Sequence, residues 1–273
     1  MYKCIELNKE FETKEELFKA LKESKNEIIK AKKSKTFNSI DKDNTLAVKV
    51  RNIDLSKFEN DQVKSEFDND KYYYIVTNTT KILDSHNDLH INGIWNKSAK
   101  EQNRKNALLD SHIDTIGTTL AKREDVEIMV KEIPFSALGY SYKGNTEALI
   151  YKIEKSKMRK DIAEWLDEGY AVQASVKMQY VKMDIAMKSD SKEDEAERKA
   201  YDEYIDKIAN IGDFKEKPVY FFIQREAKNV DESSLVSRGS NHVTGQINTE
   251  PSKDTQETKE AVNKDTSHNY LLI

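Results

Sequence analysis

Between Tyr170 and Met187 apolar and polar side chains alternate over an unusual length. Val172, Ala174, Val176, Met178 and Tyr180 fall on one face, and Gln173, Ser175, Lys177 and Gln179 on the other. A period of two is the signature of a strand with unlike faces, because successive Cβ atoms point to opposite sides of the pleat. This segment predicts one long strand that carries Ser175 on its polar side. Shorter runs rich in β-branched and aromatic residues predict further strands at Tyr72–Thr77, Glu127–Val130, Ala148–Ile153, Val219–Glu226 and Asp231–Val236. Together they describe a β-rich domain beginning near Lys71.

The flanking segments have a different period. From Lys14 to Lys33, Leu17, Phe18, Leu21, Ile28 and Ile29 recur at helical spacing behind Thr13-Lys-Glu-Glu16, a capping box. After a polar stretch, Thr45–Ile53 alternates like a strand, and residues 54–70 are acidic and polar, as expected of a linker. Met158–Asp167 predicts a helix with Ile162, Trp165 and Leu166 on one side and Gly169 just beyond its end. Residues 189–210 are highly charged but keep Ala196, Ala200, Tyr201, Tyr204, Ile205 and Ile208 in a helical stripe, the pattern of an inserted surface helix. Beyond Gly245 little is apolar before Tyr270-Leu-Leu-Ile273, so 246–273 is expected to be a flexible tail, either ending in a docking peptide or removed by self-cleavage. The organisation expected is therefore an arm over 1–70, a β domain over 71–245 and the tail.

Composition excludes several partner classes. Charged residues make up 34% of the 273, yet 45 basic side chains are nearly matched by 49 acidic ones, so the strong positive field of a nucleic-acid binder is missing. The single cysteine, Cys4, forms no internal disulfide, and Met1–Phe11 lacks the apolar core of a signal peptide, which suits a reducing cytoplasm. The densest apolar run, Pro218–Ile223, is far too short to span a bilayer. Neither nucleic acid nor membrane is expected as a partner.

Three segments have the residue types of nucleophilic acyl chemistry: Leu108-Leu-Asp-Ser-His112, Val172-Gln-Ala-Ser175-Val176 and Asp231-Glu-Ser-Ser-Leu-Val-Ser-Arg-Gly-Ser-Asn241. A serine hydroxyl is a poor nucleophile until an imidazole takes its proton and a third group fixes the imidazole tautomer. His112 and Glu232 suit those roles, with Asp231 and His242 as competing third members. The turn Ser237-Arg-Gly-Ser240 can supply main-chain N–H donors to an oxyanion. Separately, His86, Asp88 and His90 would share one face of a strand, in a pattern able to ligate a transition metal. Trp95 and Trp165 are the expected aromatic anchors of the core.

The order of these pieces resembles the prohead (capsid maturation) serine proteases of tailed bacteriophages, relatives of the herpesvirus assemblins. Asp84-Ser-His-Asn-Asp88 with Gly93-Ile-Trp95 is similar to the family's opening D-x-x-G-D…P-G-x-[FW], with Asn87 where Gly is usual. Leu108–His112 with Ile116-Gly117 resembles L-x-x-H…[IP]-[IL]-G; Gly169–Val176 resembles G-x-[VL]-x-x-[LF]-S-[IV]; and Glu232–Asn241 resembles E-V-S-L-V-x-x-G-A-N. The likeness covers about residues 70–245. Lys177 replaces a usual glycine and Ser233 a usual apolar residue.

The resemblance implies an α+β fold with an antiparallel, assemblin-like β-barrel core and peripheral helices, plus the helical arm and the disordered tail. It implies Ser175 as nucleophile, His112 as general base and then acid, Glu232 as the group that orients His112, and main-chain donors at Arg238 and Gly239. The implied function is a serine endopeptidase without metal or organic cofactor. It would act in the host cytoplasm inside the assembling prohead on scaffold and major capsid protein, with self-cleavage and possible self-association. The alternative is a catalytically inactive relative that serves as internal scaffold or capsid-assembly protein.

Overall fold

The computed structural model describes residues 1–34, 37–38, 52–55 and 64–249. Thirteen strands fall in three sheets among these residues. β1 (Tyr2–Cys4) and β2 (Lys9–Phe11) form a small hairpin. A five-stranded sheet has the order β4 (Ile53–Asp54), β13 (Gly245–Asn248), β5 (Tyr72–Thr79), β10 (Asn145–Glu154), β9 (Val126–Pro134). A six-stranded sheet runs β3 (Phe37–Asn38), β11 (Gln173–Met187), β12 (Tyr220–Val236), β7 (Ala107–Asp110), β8 (Thr119–Ala121), with β6 (Asp88–His90) beside the other end of β12. Five α-helices accompany them: α1 (Lys14–Glu23), α2 (Lys25–Ser34), α3 (Asn96–Gln102), α4 (Lys160–Asp167) and α5 (Glu195–Tyr204). None is long and apolar enough to cross a membrane.

The spine is the β11–β12 pair, whose antiparallel register runs from Gln173↔Val236 to Met187↔Tyr220. The apolar face read from the alternation, Ala174, Val176, Met178 and Tyr180, is buried against Tyr73 and Ile75 of β5, Ile128 of β9 and Leu149, Tyr151 and Ile153 of β10. The main core is therefore the space between the two large sheets, which share apolar residues but no strand. Both sheets are open among the described residues, with β4 and β9 at the edges of one and β3 and β8 at the edges of the other. The result is a mixed helix-and-sheet fold in place of the expected closed barrel. Closure requires the two edges of a sheet to hydrogen-bond, and here each sheet instead buries its apolar face against the other.

Several expected elements differ in detail. The single helix expected over 14–33 is two, because Ser24 leaves helical geometry at ψ 3°. Its carbonyl accepts the Ile28 N–H, so a serine ends α1 and starts α2. The capping box at the head of α1 is present, with the Glu16 N–H on Thr13 Oγ1 and the Thr13 N–H on the Glu16 carboxylate. Leu17, Phe18, Leu21 and Ile28 dock on Met183, Ile185 and Met187 of β11 and on Tyr220 and Phe222 of β12. The two strands expected at 219–226 and 231–236 are one strand, β12, interrupted by a bulge. The charged insertion is α-helical over 195–204, extended by 3-10 turns at Lys192–Asp194 and Ile205–Lys207, and it buries Tyr201, Ile205 and Ile208 against Leu89, Phe221 and Ile223.

Trp95 is fully buried, but Trp165 is 52% exposed and meets the Tyr170 ring at a tilt of 46°. On α4, Ile162 and Leu166 occupy the inward stripe, and the 100° step from Leu166 turns Trp165 outward. Gln246–Asn248, expected to belong to a flexible tail, instead continue β13 beside β5 and β4. The expected tail beyond residue 249 and most of the Thr45–Ile53 strand lie outside the described residues, of which Ile53–Asp54 form β4.

Candidate active site

Three adjacent strands of one sheet converge on the candidate residues. β7 lies parallel to β12, with Glu232↔Ala107 and Leu235↔Asp110, and β11 lies antiparallel on the other side, with Ser175↔Ser234. His112 therefore emerges from the end of β7 beside the stretch of β12 that carries Glu232, while Ser175 approaches from β11. His112 Nε2 is 2.7 Å from Ser175 Oγ, and His112 Nδ1 is 2.7 Å from Glu232 Oε1. The side chains of His112 and Glu232 are only 1% and 2% exposed, and Ser175 is equally buried. Shielding from water strengthens such short polar contacts.

The turn that delivers His112 is strained. Ser111 and His112 both adopt left-handed backbone, φ +52° and +59°, which side-chain-bearing residues rarely occupy. The surrounding structure over-determines it. Ser111 N–H bonds the Leu235 carbonyl and His112 N–H donates to Ser234 Oγ at 3.0 Å.

A bulge resolves the choice between Asp231 and Glu232. The β11–β12 register passes from Val176↔Ser233 to Met178↔Asn229, so β12 carries two extra residues opposite Lys177. Asp231 takes φ +63° and turns outward, 3.4 Å from the Lys177 ammonium, while Glu232 turns inward. Asn229 stitches the bulge, its amide donating to the carbonyls of Lys177 and Glu232 while its Oδ1 accepts from Tyr151 and Asn106. His242 stands elsewhere, with Nε2 on the Tyr142 hydroxyl at 2.8 Å.

Two positioning groups were not singled out from the sequence. Ser234 Oγ accepts the His112 N–H and donates to Glu232 Oε2 at 2.8 Å, tying the acid and the backbone of the base together. Its signal was present, since residues i and i+2 of a strand share a face. Gln173, likewise two positions from Ser175, accepts the Gly239 N–H at 2.8 Å. Of the two expected oxyanion donors, Gly239 is thus already committed in this structure, and Arg238 is exposed beside it. A Cβ on Gly239 would lie 2.9 Å from the Ala174 carbonyl oxygen, so only glycine lets this loop press against β11.

No protein-family model, curated protein or solved structure matches this chain.

His86, Asp88 and His90 do not form a metal centre, and no cluster of three such ligands occurs among the described residues. They instead seed a buried polar network. Asp84 Oδ1 accepts the N–H groups of His86 and Asp88 around Asn87, whose φ of +55° fits the place where a glycine is usual. Asp88 binds Lys32, Gln224 and Tyr180, and His90 lies between Asn78 and the Tyr180 hydroxyl.

Burial pushes the His90 imidazole down to about 4; the Lys32 charge adds to this and the Asp88 charge opposes it. Burial, reinforced by the Asp88 charge, holds the Asp84 carboxyl up at about 6. Unfolded, these groups titrate near 6.5 and 3.9. From pH 6.5 down to 4 only the unfolded chain protonates the residue-90 imidazole, so acidification costs stability there. Asp84 acts oppositely: its contribution is full below pH 4 and lost as pH rises through 6. His90→Gln, which cannot titrate, is expected to gain up to about 3 kcal/mol on the native protein between pH 6.5 and 4. Urea titrations across that range measure it, and parallel curves for the two proteins would refute it.

Proposed function

We propose that this chain is a serine endopeptidase of the phage capsid-maturation type. The observation that carries the reading is the unbroken Ser175–His112–Glu232 line of two 2.7 Å contacts, made between residues 63 and 120 positions apart in sequence. In this reading Ser175 Oγ attacks the scissile carbonyl carbon while its proton passes to His112 Nε2. Glu232 accepts the Nδ1–H and stabilises the imidazolium that forms. The main-chain N–H of Arg238, beside the Gly239 N–H that Gln173 holds, stabilises the oxyanion. His112 then protonates the leaving amine, and water, deprotonated by the same nitrogen, releases the acyl group and restores the serine. No step calls for a metal or an organic cofactor.

The family and the substrates rest on the ordered motifs from Asp84 to Asn241. The same reading takes the two packed sheets as an opened form of the assemblin-like barrel. It places the enzyme in the host cytoplasm inside the assembling prohead, with scaffold, major capsid protein and its own chain as substrates. Ser175 is 2% exposed, so the surface over it must open for a polypeptide to reach the hydroxyl.

Ser175→Ala decides the matter. Native protein co-expressed with capsid and scaffold is expected to shorten the capsid protein and to take up a fluorophosphonate at Ser175, and the variant to do neither. Labelling without processing would remove the capsid substrates but keep the hydrolase. Identical products and no labelling from both proteins would leave the inactive assembly protein as the correct reading.

A further inference from the structure

Gln173 is 4% exposed and shares its strand face with Ser175, yet its side-chain hydrogen bonds go to neither His112 nor Glu232. Its carboxamide spans instead to a separate loop. Oε1 accepts the Gly239 N–H at 2.8 Å and Nε2 donates to the His242 carbonyl at 3.5 Å. The far part of that loop has other anchors: Asn241 is held by Thr79, the His242 carbonyl also by Tyr140, and Thr244 accepts the Ala174 N–H. The near part does not. Among the described residues Gln173 is the one side chain that hydrogen-bonds the main chain of residues 237–239. The loop also lies close to the residue preceding the nucleophile here, since a Cβ added to Gly239 would be 2.9 Å from the Ala174 carbonyl oxygen.

We propose that Gln173 is a positioning residue of the hydrolytic site: its carboxamide clamps the Arg238–Gly239 turn against β11 beside Ser175 and so sets the direction of the main-chain donors available to an oxyanion. The proposal rests on the serine-hydrolase reading above. A planar amide suits the task, since a single side chain accepts from one main-chain group and donates to another three residues away. By holding the Gly239 N–H, it leaves neighbouring donors, Arg238 first, to meet the developing charge. Donor direction matters because the stabilisation is earned at the position the oxyanion reaches in the transition state.

The test is steady-state hydrolysis of p-nitrophenyl acetate by native protein, Gln173→Ala, Gln173→Glu and Ser175→Ala. Gln173→Ala is expected to lower kcat about a hundredfold, the scale of a misplaced donor. KM should stay within about threefold and the pH profile should not shift, since the ester gains nothing from the clamp until charge develops and His112 and Glu232 are untouched. Gln173→Glu keeps an acceptor for the Gly239 N–H and should recover at least about tenfold of the loss. Native kcat in Gln173→Ala would overturn the proposal, as would a loss shared between kcat and KM that Gln173→Glu fails to repair. If Gln173→Ala does not fold, the comparison of Gln173→Glu with native protein decides, since a kcat as low as the Ser175→Ala background would exclude an acceptor-based clamp. Ester hydrolysis that survives Ser175→Ala would instead remove the hydrolase reading itself.

Discussion

Glu232→Gln is expected to lower turnover of an activated ester about ten-thousandfold while leaving the fold intact. The substitution is nearly isosteric, so packing around this buried side chain is kept. What changes is the proton on His112. With a carboxylate at 2.7 Å, Nδ1 carries the hydrogen and Nε2 is free to accept from Ser175. An amide can present an N–H to Nδ1, which moves the ring hydrogen to Nε2 and blocks the serine; in a triad built this way, that loss is about ten-thousandfold. Ser234 sharpens the case, because its hydroxyl already accepts the His112 N–H and donates to the second carboxylate oxygen. Steady-state rates on p-nitrophenyl acetate give the result, and a loss below about tenfold would mean that Glu232 does not set the tautomer.

The largest expected loss of stability lies far from that site. Lys32 on α2 is 6% exposed, with its ammonium 2.8 Å from Asp88 Oδ1, 3.3 Å from Glu6 Oε1, 3.2 Å from the His86 carbonyl and 4.2 Å from the Phe222 ring centre. Burial alone would lower its pKa, but the Asp88 and Glu6 carboxylates outweigh that and hold it above the usual lysine value. Lys32→Met keeps most of the stem and removes the charge. It leaves two buried carboxylates without their counter-ion, a defect of about 3–5 kcal/mol. Chemical denaturation should show the free energy of unfolding falling by that amount, with Asp88→Asn in the same chain restoring part of it. A loss under about 1 kcal/mol would show that water or backbone donors already satisfy the carboxylates. The network continues through Asp88 to Tyr180, five residues along β11 from Ser175, so the helices of the arm support the strand that carries the nucleophile.

How much of this was legible beforehand depended on whether the information was local. The alternation along β11 was, because each residue's face is fixed by its neighbours two positions away, and the same holds for the Thr13–Glu16 box. Trp165 was misjudged because a helical stripe has a width that spacing alone does not give. The split at Ser24 and the bulge at Asp231 depend on single dihedral choices, which adjoining strands and carbonyls select. Buried polar residues such as Asn229 and Gln173 carry no apolar signal, so only their partners across the sheet reveal what they do.

The sequence by itself determined the long two-faced strand, the amphipathic arm, a near-neutral charge balance and the types and order of His112, Ser175 and Glu232. Only the tertiary structure decided that β7, β12 and β11 lie side by side, that the sheets pack open, and that Glu232 rather than Asp231 or His242 meets the imidazole. The reason is physical: strand pairing and bulge position are settled by contacts between residues tens of positions apart, whose energies no local pattern contains.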